Sequence, residues 1–176
     1  IKFKIINFEN TPEKASEILL NLGDKIDIVP GWFDEKFWQL SECTAKKLED
    51  EPLYCAMSIN HPLAFRENIS LNDLAGETVR LIKRGWNKHT DAFRDELWSN
   101  YPEINIVDVP FFNIDVFNQC EANNEILIGF NKWAAVHPLL KFVPLEQKRF
   151  VPFGILHASN PSPVVAEFLA ATDKIL

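Results

Sequence analysis

At 176 residues with 47% hydrophobic content, the chain can bury a substantial core, as one domain or as two small joined lobes. A net charge of −7, with 18 basic residues scattered along the length, leaves no basic stripe to follow a phosphate backbone and argues against direct nucleic-acid contact by this segment. No long apolar run signals a membrane span or an export peptide, and Cys43, Cys55 and Cys120, widely spaced with no CxxC pair, suit a reducing cytoplasm better than a disulfide framework.

The elements alternate. Residues 1–8 are β-rich. Thr11 then offers an N-cap, Pro12 suits a first helical turn, and Ala15, Ile18, Leu19 and Leu22 follow at i, i+3, i+4, i+7 until Gly23. Ile26-Asp27-Ile28-Val29 reads as a strand halted by Pro30 and Gly31, which completes a βαβ unit with parallel strands; Trp32 and Phe33 fall in the following loop. Partial periodicity over Phe37, Trp38, Leu40 and Ala45 suggests a helix at about 35–48. Residues 53–59 form the next strand.

Ser70 with Asp73 marks a helix start and Gly76 its stop, before a strand at 78–82. Asn87 caps a helix carrying Phe93, Leu97 and Trp98, and Pro102 ends it. A strand follows at 104–109, then a helix capped by Asn113 with Val116, Phe117 and Cys120 on one face, then strands at 125–130, 141–145 and 150–157. Pro161-Ser162-Pro163 opens a final helix whose inward face is read as Val164, Val165, Phe168, Leu169 and Thr172. Strands alternating with helices predict an α/β architecture.

Two segments carry a family resemblance. Asn60-His61-Pro62-Leu63-Ala64 followed by Ile69-Ser70-Leu71-Asn72-Asp73-Leu74-Ala75-Gly76-Glu77 resembles the effector-binding domain of LysR-type transcriptional regulators. Gly23-Asp24-Lys25-Ile26-Asp27, Ile126-Leu127-Ile128-Gly129-Phe130, Phe142-Val143-Pro144-Leu145 and Asn160-Pro161-Ser162-Pro163 match that pattern in order and spacing, over essentially the whole segment. The pattern's usual first strand and helix, and the DNA-binding helix-turn-helix, have no counterpart in this segment. Cys120-Glu121-Ala122-Asn123-Asn124-Glu125 also replaces the family's small-residue stretch with a bulkier, more polar one.

The resemblance implies a two-lobed, type-2 periplasmic-binding-protein-like fold, with lobe I from residues 1–57 and 150–176 and lobe II from 58–149. It further implies a small-molecule effector bound in the inter-lobe cleft, a cytoplasmic setting, DNA contact only through a domain outside this segment, and homodimers or homotetramers of the parent protein. The alternative is a transporter's solute-binding protein of the same fold, which fold alone does not distinguish.

In such a fold ligands lie beyond the carboxyl ends of parallel strands, where helix N-termini favour anions. Candidate ligand-binding residues are Thr11 beside Asn10; Pro30, Gly31 and Trp32; Arg84, Gly85 and Trp86, beside Lys83 and Asn87; Asn113 and Asp115; and Gly129, at the family's glycine-bearing strand. Arg84 at a helix start suits a carboxylate, and the two tryptophans suit an aromatic body. The same residues serve equally as plain caps, core packing and solvated charges. His61, His89, His137 and His157 have no metal-ligand spacing, and the chain has no GxSxG elbow, P-loop or GxGxxG, so neither catalysis, nor a metal, nor a cofactor is expected.

Overall fold

A computed structural model describes residues 2–6, 11–34 and 43–173. The chain divides into two compact units, Ile1–Asp50 with Pro152–Leu176, and Glu51–Val151. The lobe boundaries expected from sequence stood at 57/58 and 149/150. Two long strands, β2 (Cys43–Ser58) and β7 (Phe150–Ala158), carry the chain from one unit to the other.

In the first unit, helix α1 (Pro12–Leu20) starts where the Thr11 hydroxyl accepts the Lys14 N–H at 3.3 Å, and ends near Gly23, whose φ of 97° is one that a side chain disfavours. Strand β1 (Ile28–Trp32) pairs antiparallel with β7, Ile28 opposite His157 and Trp32 opposite Phe153. It runs through Pro30 and Gly31 instead of stopping there. Among the described residues it has one partner, as an edge strand does, and an edge tolerates a missing N–H. Among the described residues the expected parallel βαβ unit is not formed: residues 2–6 join no ladder, and β1 pairs antiparallel with the far end of the chain.

The helix expected at 35–48 is also corrected in part. Residues 35–42 lie outside the described residues, but residues 43–48 are strand, within β2. Helix α4 (Pro163–Thr172), capped by Ser162, packs Val165 and Leu169 with Ile155, Ile28, Leu48 and Phe168. Val164, read as inward, is 59% exposed. Lys46 of β2 fastens the end of this helix by donating to the Leu169 carbonyl and pairing with Asp173 at 2.6 Å. Close backbone approach explains Gly154, since a Cβ there would lie 2.1 Å from the Lys46 carbonyl oxygen.

The second unit holds strands β3 (Thr78–Ile82), β4 (Asn105–Val109), β5 (Ile126–Phe130) and β6 (Leu140–Pro144) with the later part of β2, in the order β6-β2-β5-β3-β4. β3 runs parallel to both β4 and β5, whereas β2 is antiparallel to β5 and β6. Helices α2 (Lys88–Asn100) and α3 (Ile114–Asn123) are the crossovers that parallel pairing requires. Val116, Phe117 and Cys120 form one buried face of α3, against Ala56, Val109, Leu127 and Leu140. Trp98, expected with Phe93 and Leu97 on α2, is 73% exposed while those two are buried.

The family-like segments are 3₁₀ turns with well-made caps. His61 is buried; its Nδ1 accepts the Leu63 N–H at 3.1 Å, which leaves the ring proton on Nε2, 3.4 Å from the Glu77 carboxylate. Ser70 and Asp73 form a reciprocal capping box, the Ser70 hydroxyl accepting the Asp73 N–H and the Asp73 carboxylate accepting the Ser70 N–H. Hydrogen bonds from Ser70 hold the Asp73 carboxyl below its usual range.

Gly154→Ala is expected to lower stability by roughly 2–4 kcal/mol, because backbone must move. Gly31→Ala, whose Cβ would meet only a Leu156 methyl at 3.6 Å, should stay within about 0.5 kcal/mol. Urea denaturation of the two variants distinguishes the sites; equal losses would contradict this reading.

Candidate functional site

Three parallel strands end on one side of the second unit. β3 and β4 finish together, with Ile82 opposite Val109 and the Lys83 N–H donating to the Val109 carbonyl at 2.8 Å. β5 runs parallel to β3 with Val79 opposite Ile126, so Gly129 belongs to the same end of the sheet. The structure therefore brings Arg84, Gly85, Trp86, Asn113, Asp115 and Gly129 to one edge. Thr11, Pro30, Gly31 and Trp32 belong to the other unit.

Each residue also has a local task. Asn113 caps α3, its Oδ1 accepting the Val116 N–H at 3.0 Å, and Asp115 lies exposed in the first turn, where the helix dipole favours a carboxylate. Gly85 has φ of 99°, and its N–H meets both Asp91 carboxylate oxygens at 3.1 Å, which shapes the turn into α2. Trp86 is half-buried beside it. Gly129 is buried, with a ring edge of Trp133 only 3.0 Å from where a Cβ would stand. Trp133 in turn packs on Phe112, Phe117 and Phe130. In the first unit, Trp32 lies against Phe153 with ring centroids 5.1 Å apart, and Pro30 is exposed.

Arg84 is exposed, and its guanidinium grips Asp95 through two nitrogens. The Asp95 hydrogen bond raises the Arg84 pKa, and the Arg84 hydrogen bond lowers that of Asp95. A second arginine had no signal in the sequence. Arg94, on α2, is 6% exposed; its Nη2 donates to the carbonyls of Leu81 (3.2 Å) and Ile82 (2.7 Å) and pairs with Asp108 at 2.8 Å. Asn87, Thr90 and Arg94 follow at i, i+3, i+7, so a buried polar stripe runs along the α2 face turned to the strand ends. Thr90 donates to the Asn87 carbonyl at 2.9 Å.

Among the described residues, two donors on this stripe have no acceptor, Asn87 Nδ2 and Arg94 Nε. The Asn87 amide orientation is fixed because Oδ1 accepts the His89 N–H at 2.9 Å. Buried N–H groups seek acceptors, and two of them beside a helix N-terminus at the carboxyl ends of parallel strands favour an anionic or carbonyl oxygen. Among the described residues no cluster of His, Cys, Asp and Glu has the makings of a metal site. Burial pushes the Cys55 and Cys120 thiols up to about 12.

Structures of known proteins match this architecture closely. The chain superposes on the CcmR regulatory domain of Synechocystis PCC6803, in complex with 2-PG, with TM-score 0.68 and 13% identity over 94% of this chain and 79% of that one. It matches the BenM effector binding domain, with its effector benzoate, at TM-score 0.66 and 20% identity over 96% and 76%. Full-length CbnR, a LysR family transcriptional regulator complexed with target DNA, gives 0.68 and 19% over 93% of this chain and 57% of CbnR. The fold is that of LysR-type effector-binding domains. This is the periplasmic-binding-protein-like α/β fold that the sequence resemblance implies. Neither a family model nor a curated protein matches the chain by sequence. No helix among the described residues is long and apolar enough to cross a membrane.

Arg94→Met should destabilise by about 2 kcal/mol, since the carbonyls of Leu81 and Ile82 lose their donor, while Arg84→Ala should leave the urea midpoint unchanged. For the thiols, a folded pKa above the unfolded one means the native state holds the proton more tightly. Their contribution is complete below about pH 9 and is lost as pH rises toward 12, by up to ~1.4 kcal/mol per pH unit for each thiol. Alkaline denaturation curves of the Cys120→Ala variant should accordingly be flatter than those of the parent chain.

Proposed function

We propose that this chain is the ligand-sensing domain of a LysR-type transcriptional regulator, binding a small metabolite and signalling to an attached DNA-binding domain. The observation that carries the recognition chemistry is the pair of unsatisfied buried donors, Asn87 Nδ2 and Arg94 Nε, at the strand-end edge of the second unit. Anionic oxygens answer such donors, and the helix starts around Arg84–Trp86 and Asn113–Asp115 give the rest of the ligand its contacts. Benzoate, the effector of BenM, is of the class expected here, a small carboxylate or aromatic acid.

Sensing requires that the ligand favour one arrangement of the protein over another, and no chemistry on the ligand is part of this reading. The parent protein works in the cytoplasm as a homodimer or homotetramer and reaches DNA through a domain outside this segment. The regulators matched above do not favour the transporter reading.

A thermal-shift screen tests the proposal. Small carboxylates should raise the melting midpoint, by the equivalent of about 2.7 kcal/mol when present at about a hundred times Kd, and Trp86→Ala should reduce that shift. Stabilisation by cationic or sugar ligands alone would overturn it.

A further inference from the structure

A cavity of about 280 Å³ opens on the other flank of α2, lined by His89, Ala92, Phe93, Glu96, Lys148, Arg149 and Phe150, all within the second unit. We infer that it is a second ligand site, separate from the strand-end edge, and that it takes a small aryl carboxylate.

Size sets the first limit. Drug-sized ligands occupy pockets of about 300–1,000 Å³, so this one suits a single ring with one substituent. The lining sets the second. Ala92 supplies apolar surface from the helix above the buried Phe93, and Phe150, 45% exposed, presents an aromatic side chain from the start of β7. An exposed phenylalanine beside a cavity is a face on which a ring can stack.

Charge sets the third. Arg149 and Glu96 neutralise each other through a two-pronged contact, Arg149 Nε donating to Glu96 at 2.9 Å and Nη2 donating to its other oxygen. Hydrogen bonding to Glu96 raises the Arg149 pKa. Lys148 is exposed, and among the described residues no carboxylate pairs with it. In a chain of net charge −7, the cavity is left with an uncompensated ammonium at an apolar wall. A carboxylate with a flat apolar body meets both demands; a neutral aromatic meets one, and a cation is repelled.

The position gives such a ligand a consequence. Residues 148–150 form the strap that leads into β7, the strand passing from the second unit to the first at Val151 and Pro152, and the Arg149 carbonyl accepts the Leu53 N–H of β2 at 2.8 Å. A ligand held between α2 and Phe150 favours the docked strap, and thereby acts on both strands that join the units.

The test uses 4-fluorobenzoate, followed by fluorine NMR line broadening on the whole chain, with 4-fluorobenzamide as the neutral control. In the Trp86→Ala chain, which removes the strand-end contribution, binding should remain saturable at millimolar ligand, be weakened about tenfold by Lys148→Glu and be kept by Lys148→Arg. Lys148 is a surface residue, and circular dichroism checks that both of its variants fold. Failure of 4-fluorobenzoate to bind, equal binding of the amide, or full affinity in Lys148→Glu would overturn the second site. Binding lost in Trp86→Ala but kept in Lys148→Glu would place the aryl acid at the strand-end edge, refuting the second site while supporting the proposed function.

Discussion

A guanidinium taken out of water needs carbonyl and charge partners, and the second unit supplies them to one nitrogen of Arg94, Nη2, while Nε is left open among the described residues. The strand-end carbonyls of Leu81 and Ile82 take its Nη2, and Asp108 at the end of β4 supplies the opposite charge. Burying a charge without such partners costs several kcal/mol, so α2 has little freedom in where it docks. Its position fixes the short turn from β3 into the helix, where Gly85 adopts its left-handed conformation and hands its N–H to Asp91. The edge proposed to recognise a ligand is thus a by-product of satisfying one buried cation.

The neighbouring helix is held by a different force. α3 rests on an apolar core, and beside it Trp133 gathers Phe112, Phe117 and Phe130 over the bare backbone of Gly129. Packing of that density gives the Asn113 cap a rigid base. One helix start is therefore anchored by electrostatics and the other by aromatic packing, and both open at the carboxyl ends of parallel strands.

Much of this was legible in the residues. Thr78–Ile82 is read as the strand it forms, and Ser70 with Asp73 announces its capping box, because both signals are local. Caps at Thr11, Asn87, Asn113 and Ser162 are legible for the same reason. Residues 43–48 mislead, since alanine, lysine and leucine favour a helix while the tertiary setting, with β7 and Gly154 pressed against the Lys46 carbonyl, imposes a strand. Lys2 to Ile6 alternate like a strand yet find no ladder, and alternation supplies no partner.

The site was harder to read than the fold. Arg94 stands among Phe93, Asp95 and Glu96, where an arginine on a charged helix reads as solvated; only the three-dimensional path of β3 and β4 brings carbonyls to it. Arg84, the cation that the sequence favours, spends its guanidinium on Asp95. Gly129, favoured through the family pattern, makes room for Trp133. Mapping of backbone amide shifts by NMR during titration with a stabilising small carboxylate tests the central claim most directly. The account predicts that the largest perturbations fall at Gly85 to Thr90 and Asn113 to Val116; saturable binding that leaves both helix starts unperturbed would contradict it.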